Sequence, residues 1–192
     1  MARTRTALTA LALGTLVACG GGGGSGPAAP AAASALVYSN PGADAYRLVQ
    51  NSQSTPTHLV LDLVGPSGAQ LRGVGMVLTL GGLTIASWAP VTPGGVNYVQ
   101  EGAGLTLGAA PRAVVGKLAT ATDLQLGLFQ KGPAVPVAVP GAVPLASVAL
   151  DLKPGAAPGT VTLSPVAGKA FIQDASGAVV AITPAIGTIT AK

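Results

Sequence analysis

The side chains able to act as acid, base, thiolate or metal ligand are few: His58, six acids (Asp44, Asp62, Glu101, Asp123, Asp151 and Asp174) and Cys19. His58 and Asp62 alternate with Leu59, Leu61 and Leu63, so on a strand they share the face opposite the leucines. Four residues of rise put them about 13 Å apart, too far to touch. That face is therefore expected to be solvated rather than half of a dyad or a metal pair. The remaining acids are isolated in sequence, and a glycosidase-type carboxylate pair would need the fold to gather them. No alternating-oxygen calcium loop and no Gly-x-Ser-x-Gly elbow occurs. The five glycines at 20–24 lack the Lys-Ser/Thr that a phosphate cradle requires. No catalytic residue, metal ligand or cofactor is expected; a structural calcium held by scattered Asp side chains and carbonyls is the one metal the class allows. Trp88, Tyr98, Tyr46 and Tyr38 are the stacking candidates for a sugar, with Trp88 the one singled out.

Cys19 is the only cysteine, so no disulfide forms within the chain. It follows two early arginines and an apolar run from Ala7 to Ala18, the pattern of an export signal. A helix of those twelve residues would reach about 18 Å, short of a bilayer core. Leu16-Val17-Ala18-Cys19 resembles the lipobox of bacterial lipoproteins, which implies cleavage before Cys19 and acylation of its sulfur. Within that resemblance, Gly20 in place of an aspartate favours the outer membrane over the inner. Several acyl chains at about 0.8 kcal/mol per buried methylene would hold the protein firmly. Residues 1–18 then form a signal peptide and residues 19–34 a lipidated Gly/Ala/Pro tether, reaching roughly 20 Å as a flexible coil.

The elements that must position everything else lie in 35–192. The chain is 49% hydrophobic and only 8% charged, which excludes charge-driven nucleic-acid binders, solvated tails and disordered acidic segments. Without Arg3 and Arg5 the remainder carries 8 basic against 6 acidic residues, so the high isoelectric point says little about partners. Short runs of Leu, Val, Ile and Thr recur about every ten residues, each ended by Gly, Pro, Asn or Asp. The clearest, Thr57 to Val64, turns through Gly65-Pro66-Ser67-Gly68 into Arg72 to Leu80. Further strands are expected at 45–50, 83–88, 105–109, 113–119, 124–130, 145–152, 160–164, 169–173, 178–182 and 187–190. So many short strands imply one all-β sandwich domain. The aromatics are too few for the girdles of a membrane barrel, and no fixed repeat supports a solenoid. Pro133, Pro136, Pro140 and Pro144 each remove a ladder donor, so that stretch can be only an extended connection or an edge. In the strand after it, Asp151 and Lys153 are expected to face water.

The order of HLVLDLVGPSGAQLRGVGMVLTL, a long middle, VPLASVALDLKPGAAPGTVTL and a closing GAVVAITPAIGTITAK resembles the cohesin and related carbohydrate-binding-module sandwiches of bacterial surface proteins, over about residues 56–192. The resemblance implies a nine-stranded jelly-roll. Cohesins commonly carry Tyr-Asp-Pro after the second strand, where this chain has Thr79-Leu80-Gly81-Gly82, so no contact residue transfers.

The expectation is a lipid-anchored envelope or cell-surface protein whose cohesin-like module binds protein partners or further copies of itself without catalysis. Its apolar, weakly charged exterior suits such contact. A carbohydrate-binding module with polysaccharide as ligand is the alternative and requires Trp88 on an exposed face. A hydrolase ranks behind both and requires His58 and two carboxylates in one pocket. No nucleic-acid partner is expected.

Overall fold

The computed structural model describes residues 31–43, 46–106, 112–131 and 135–192. The signal and lipobox residues, most of the tether, Asp44 and positions 107–109 lie outside these. Fourteen strands run in chain order: β1 Leu36–Ser39, β2 Arg47–Gln50, β3 His58–Val64, β4 Gln70–Gly81, β5 Ala86–Ala89, β6 Val99–Glu101, β7 Arg112–Leu118, β8 Asp123–Gln130, β9 Val137–Ala138, β10 Ala146–Leu152, β11 Gly159–Pro165, β12 Phe171–Asp174, β13 Val179–Ala181 and β14 Thr188–Ala191. After β6 a 3-10 turn spans Ala103–Leu105, so Leu105 ends a turn instead of opening a strand.

Two sheets face each other. The smaller has the order β2-β3-β10-β5, with β6 continuing the β5 edge along β10. The larger has the order β1-β14-β11-β4-β12-β13, with β8 and β9 along the other side of β4 and β7 beyond β8. The twelve-residue β4 is the spine of the large sheet: it pairs with β11 and β12 in succession on one side and with β8 and β9 on the other. Alternation decides which side chains turn inward. Leu59, Leu61 and Leu63 from the small sheet meet Val74, Leu78, Leu80, Leu124 and Leu128 from the large one, all with no exposed surface. Each such side chain contributes roughly 1.5–3 kcal/mol by leaving water, so this interleaved layer holds the two sheets face to face.

Among its described residues the proline-rich stretch supplies the two-residue β9, paired with Gln70 and Leu71 at the start of β4, as the missing donors dictate. At the front of the domain the backbone amides of Ala33 and Ser34 donate to Ala156 O and Lys192 O, so two residues assigned to the tether already belong to the domain's hydrogen-bond network.

Candidate functional site

The outer face of the small sheet is not solvated, contrary to the sequence expectation for His58 and Asp62. Both are buried, at 7% and 6% exposure. Over His58 lies the segment from Pro90 to Asn97, which closes on itself through Val91 N–H donating to Asn97 O and lays Val91 against Val60, Ala89 and Ala149. Strand register then sets the partners. His58 stands opposite Asp151 and Asp62 opposite Ser147 across the β3–β10 ladder. His58 Nδ1 lies 2.5 Å from Asp151 Oδ1, and its Nε2–H donates to Val91 O at 3.0 Å. Asp62 accepts from Ser147 Oγ at 2.6 Å and from Asn51 Nδ2 at 2.7 Å. Asp151, expected in water, keeps its side chain half exposed while holding His58. His58 and Asp62 thus each bind a residue of β10 rather than each other. Among the described residues no three His, Cys, Asp or Glu side chains gather as a metal or multi-carboxylate cluster.

Trp88 offers no ring face to a sugar. It is 6% exposed, sits in the main core, and donates its indole N–H to Thr122 O at 2.7 Å. Tyr38 and Tyr46 are likewise buried, and burial raises both phenol pKa values.

Two surface features missed in the sequence carry more chemistry. The first is a cleft of about 540 Å³ between the Pro90–Asn97 segment, β6 and the edge strand β7. Its rim carries Val96, 84% exposed, and Val114, 45% exposed, with Glu101, Asn97 and Gln100 supplying polar groups. The second is a shallow hollow of about 190 Å³ on the outer face of the large sheet. Its floor is glycine, because β4 and β8 place Gly73, Gly75 and Gly127 outward between core residues. A Cβ at these three positions would lie 2.3 Å from Phe129 Cδ1, 2.8 Å from Phe129 Cζ and 2.9 Å from Phe129 Cε2 respectively. Three different ring atoms over three backbone positions mean that the ring lies flat on the sheet. Phe171 reaches in from β12 so that its Cζ also lies over Gly75, with ring centroids 5.8 Å apart and planes 18° from parallel. The spacing Gly-x-Gly inside a strand was the available signal, since interior glycines mark close approach.

No protein-family model and no curated protein matches the sequence. Solved structures do match in fold. A type II cohesin domain from the cellulosome of Acetivibrio cellulolyticus superposes with a TM-score of 0.55 at 8% identity, covering 77% of this chain and 95% of that one. The sixth cohesin of scaffoldin B from the same organism, solved in complex with a mutant dockerin, gives a TM-score of 0.52 at 14% identity, covering 75% and 96%. The fold is therefore a cohesin-like β-sandwich.

Proposed function

We propose that this chain is a non-catalytic protein-interaction module, held on a bacterial envelope membrane by acyl chains at Cys19 and presented on a short tether. The observation that carries this reading is the cohesin-like fold, one neighbour of which was solved with a dockerin bound. The cleft beside β7 supports it. Val96 and Val114 present apolar surface at a rim that also carries the polar side chains of Asn97 and Gln100, a composition suited to a protein contact. On this reading His58 and Asp62 are structural, fixing the Pro90–Asn97 segment and β10, and the lipobox supplies the address. Gly20 favours the outer membrane.

The test has two arms. Cells are labelled with radioactive palmitate, and wild-type protein is expected to carry label that Cys19→Ser lacks, with the variant leaving the membrane fraction. Partners are then captured from envelope extracts with wild type and with Val96→Asp and Val114→Asp, each folded by circular dichroism. A protein recovered by wild type and lost with both variants supports the cleft; identical recovery from all three overturns it.

A further inference from the structure

The hollow on the outer face of the large sheet lies apart from the cleft beside β7. Phe129 and Phe171 do not pack into a core. Phe129 lies with one face on glycine backbone, Phe171 reaches over Gly75 from β12, and both are only partly buried, so the two near-parallel rings form one apolar shelf. Laying two rings flat on a sheet needs side-chain-free positions beneath them, and β4 and β8 supply them at Gly73, Gly75 and Gly127. Flat aromatic pairs suit ligands that are themselves flat and apolar on their faces yet polar around their edges. Pyranose rings have that character: axial C–H groups on the faces, hydroxyls at the rim. The 5.8 Å between centroids is about the step from one sugar ring to the next in an extended glycan.

Charge narrows the class further. The lining of the hollow includes Lys169 and no carboxylate, with Gln125 as a hydrogen-bonding neighbour. Lys117 stands opposite Gln125 in the β7–β8 register and is exposed. Asp123, outward on the same strand as Gln125, has its Oδ1 occupied by the Thr79 hydroxyl at 2.7 Å. In a chain with so few charges, two lysines bordering an aromatic shelf favour an acidic ligand.

We propose that the Phe129–Phe171 shelf binds an anionic polysaccharide, with successive pyranose rings stacked on the two phenyl faces and a uronate carboxylate held by Lys169. The site is independent of the protein-binding cleft, because Val114 lines the cleft whereas its neighbour Val115 points to the hollow on the other face of β7.

The experiment is affinity electrophoresis of the full chain through gels containing sodium alginate, a polyuronate, or hydroxyethyl cellulose, a neutral glucan. Wild type is expected to be retarded by alginate and much less by the neutral polymer. Phe129→Leu and Phe171→Leu keep apolar cover over the glycines but remove the flat ring, and each is expected to weaken retardation about tenfold. Lys169→Gln is expected to weaken alginate binding and flatten its salt dependence, leaving the melting temperature unchanged. Lack of retardation by alginate overturns the proposal. So does retardation that survives both phenylalanine variants, which would mark it as unspecific attraction of a polyanion. Equal retardation by both polymers, unaffected by Lys169→Gln, overturns the assignment of an acidic ligand.

Discussion

His58 and Asp151 face each other across β3 and β10 with Nδ1 and Oδ1 2.5 Å apart, while the other ring nitrogen of His58 is committed to the carbonyl of Val91. A carbonyl only accepts, so Nε2 must carry a proton. The histidine thereby joins two strands and the Pro90–Asn97 segment at one point.

Unequal costs follow for the two partners. His58→Ala leaves Val91 O without its donor in a buried place and should lower stability by about 2 kcal/mol. Asp151→Asn puts an amide donor opposite Nδ1 of a neutral ring, so the contact survives without charge. Because the Asp151 side chain is half exposed, the lost ion pair is screened and should cost under about 1 kcal/mol. Urea unfolding of both variants checks this, and equal losses would contradict the bridging role.

Tyr38 carries a second long-range link. Its hydroxyl donates to Leu48 O at 2.9 Å and accepts from Gly187 N at 2.8 Å, joining β1, β2 and the approach to β14. Tyr38→Phe removes both bonds and should cost roughly 1–3 kcal/mol. Burial raises the phenol pKa, partly offset by the bond from Gly187 N. The folded state thus holds the proton more tightly than the unfolded chain. Tyr38 contributes stability that is complete below the usual tyrosine range and is lost as pH rises through the folded value. Thermal melts above pH 9 should show a smaller alkaline decline in Tyr38→Phe than in wild type.

The glycine floor makes a steric prediction. At Gly73 a Cβ would meet Phe129 Cδ1 at 2.3 Å and Leu128 O at 2.7 Å; the ring can swing, but the carbonyl belongs to a paired strand. Gly73→Ala should therefore destabilise by about 1–3 kcal/mol through overpacking. At Gly42 a Cβ meets nothing within 4 Å, so Gly42→Ala should be neutral or slightly stabilising. Differential scanning calorimetry of the two alanines gives the contrast directly.

Much of the strand layout was legible because core leucines alternate with polar residues, as in β3 and β8, and because glycine and proline punctuate the ends. β1 and β6 were not among the expected strands; β6 owes its place to pairing with β10. The surroundings of His58 were not legible at all. Alternation correctly put it on the face away from the leucines, but whether that face is wet depends on a segment 33 residues away, and its carboxylate partner lies 93 residues away. For Trp88, residue type allowed a sugar platform or a core position, and strand parity sends it into the core beside the carbonyl of Thr122. The aromatic shelf was written as glycines as much as phenylalanines, and only the register of β4 with β8 and β12 shows that they meet.

The β12–β13 turn should loosen in acid before the sandwich does. Asp174 Oδ1 accepts from Ser176 Oγ at 2.6 Å, Ser176 N at 2.8 Å and Ala178 N at 2.9 Å, so one carboxylate oxygen gathers three donors of the turn. The Ser176 hydroxyl is the chief cause of a lowered pKa; desolvation, next in size, opposes it, and the backbone amides of Ala178, Ser176 and Gly177 add to the lowering. A carboxyl pKa lowered by folding contributes above its unfolded value and is lost as pH falls through the folded one. Among the described residues β13 is the last strand on that side of the sheet, with Val179 and Val180 exposed. Amide hydrogen exchange at Ser176 and Ala178 should therefore accelerate below the normal aspartate range while exchange at Leu61 and Leu126 in the core strands stays slow. In Asp174→Ala the two turn amides should exchange quickly at every pH; slow exchange there would mean that the backbone holds the turn without the carboxylate.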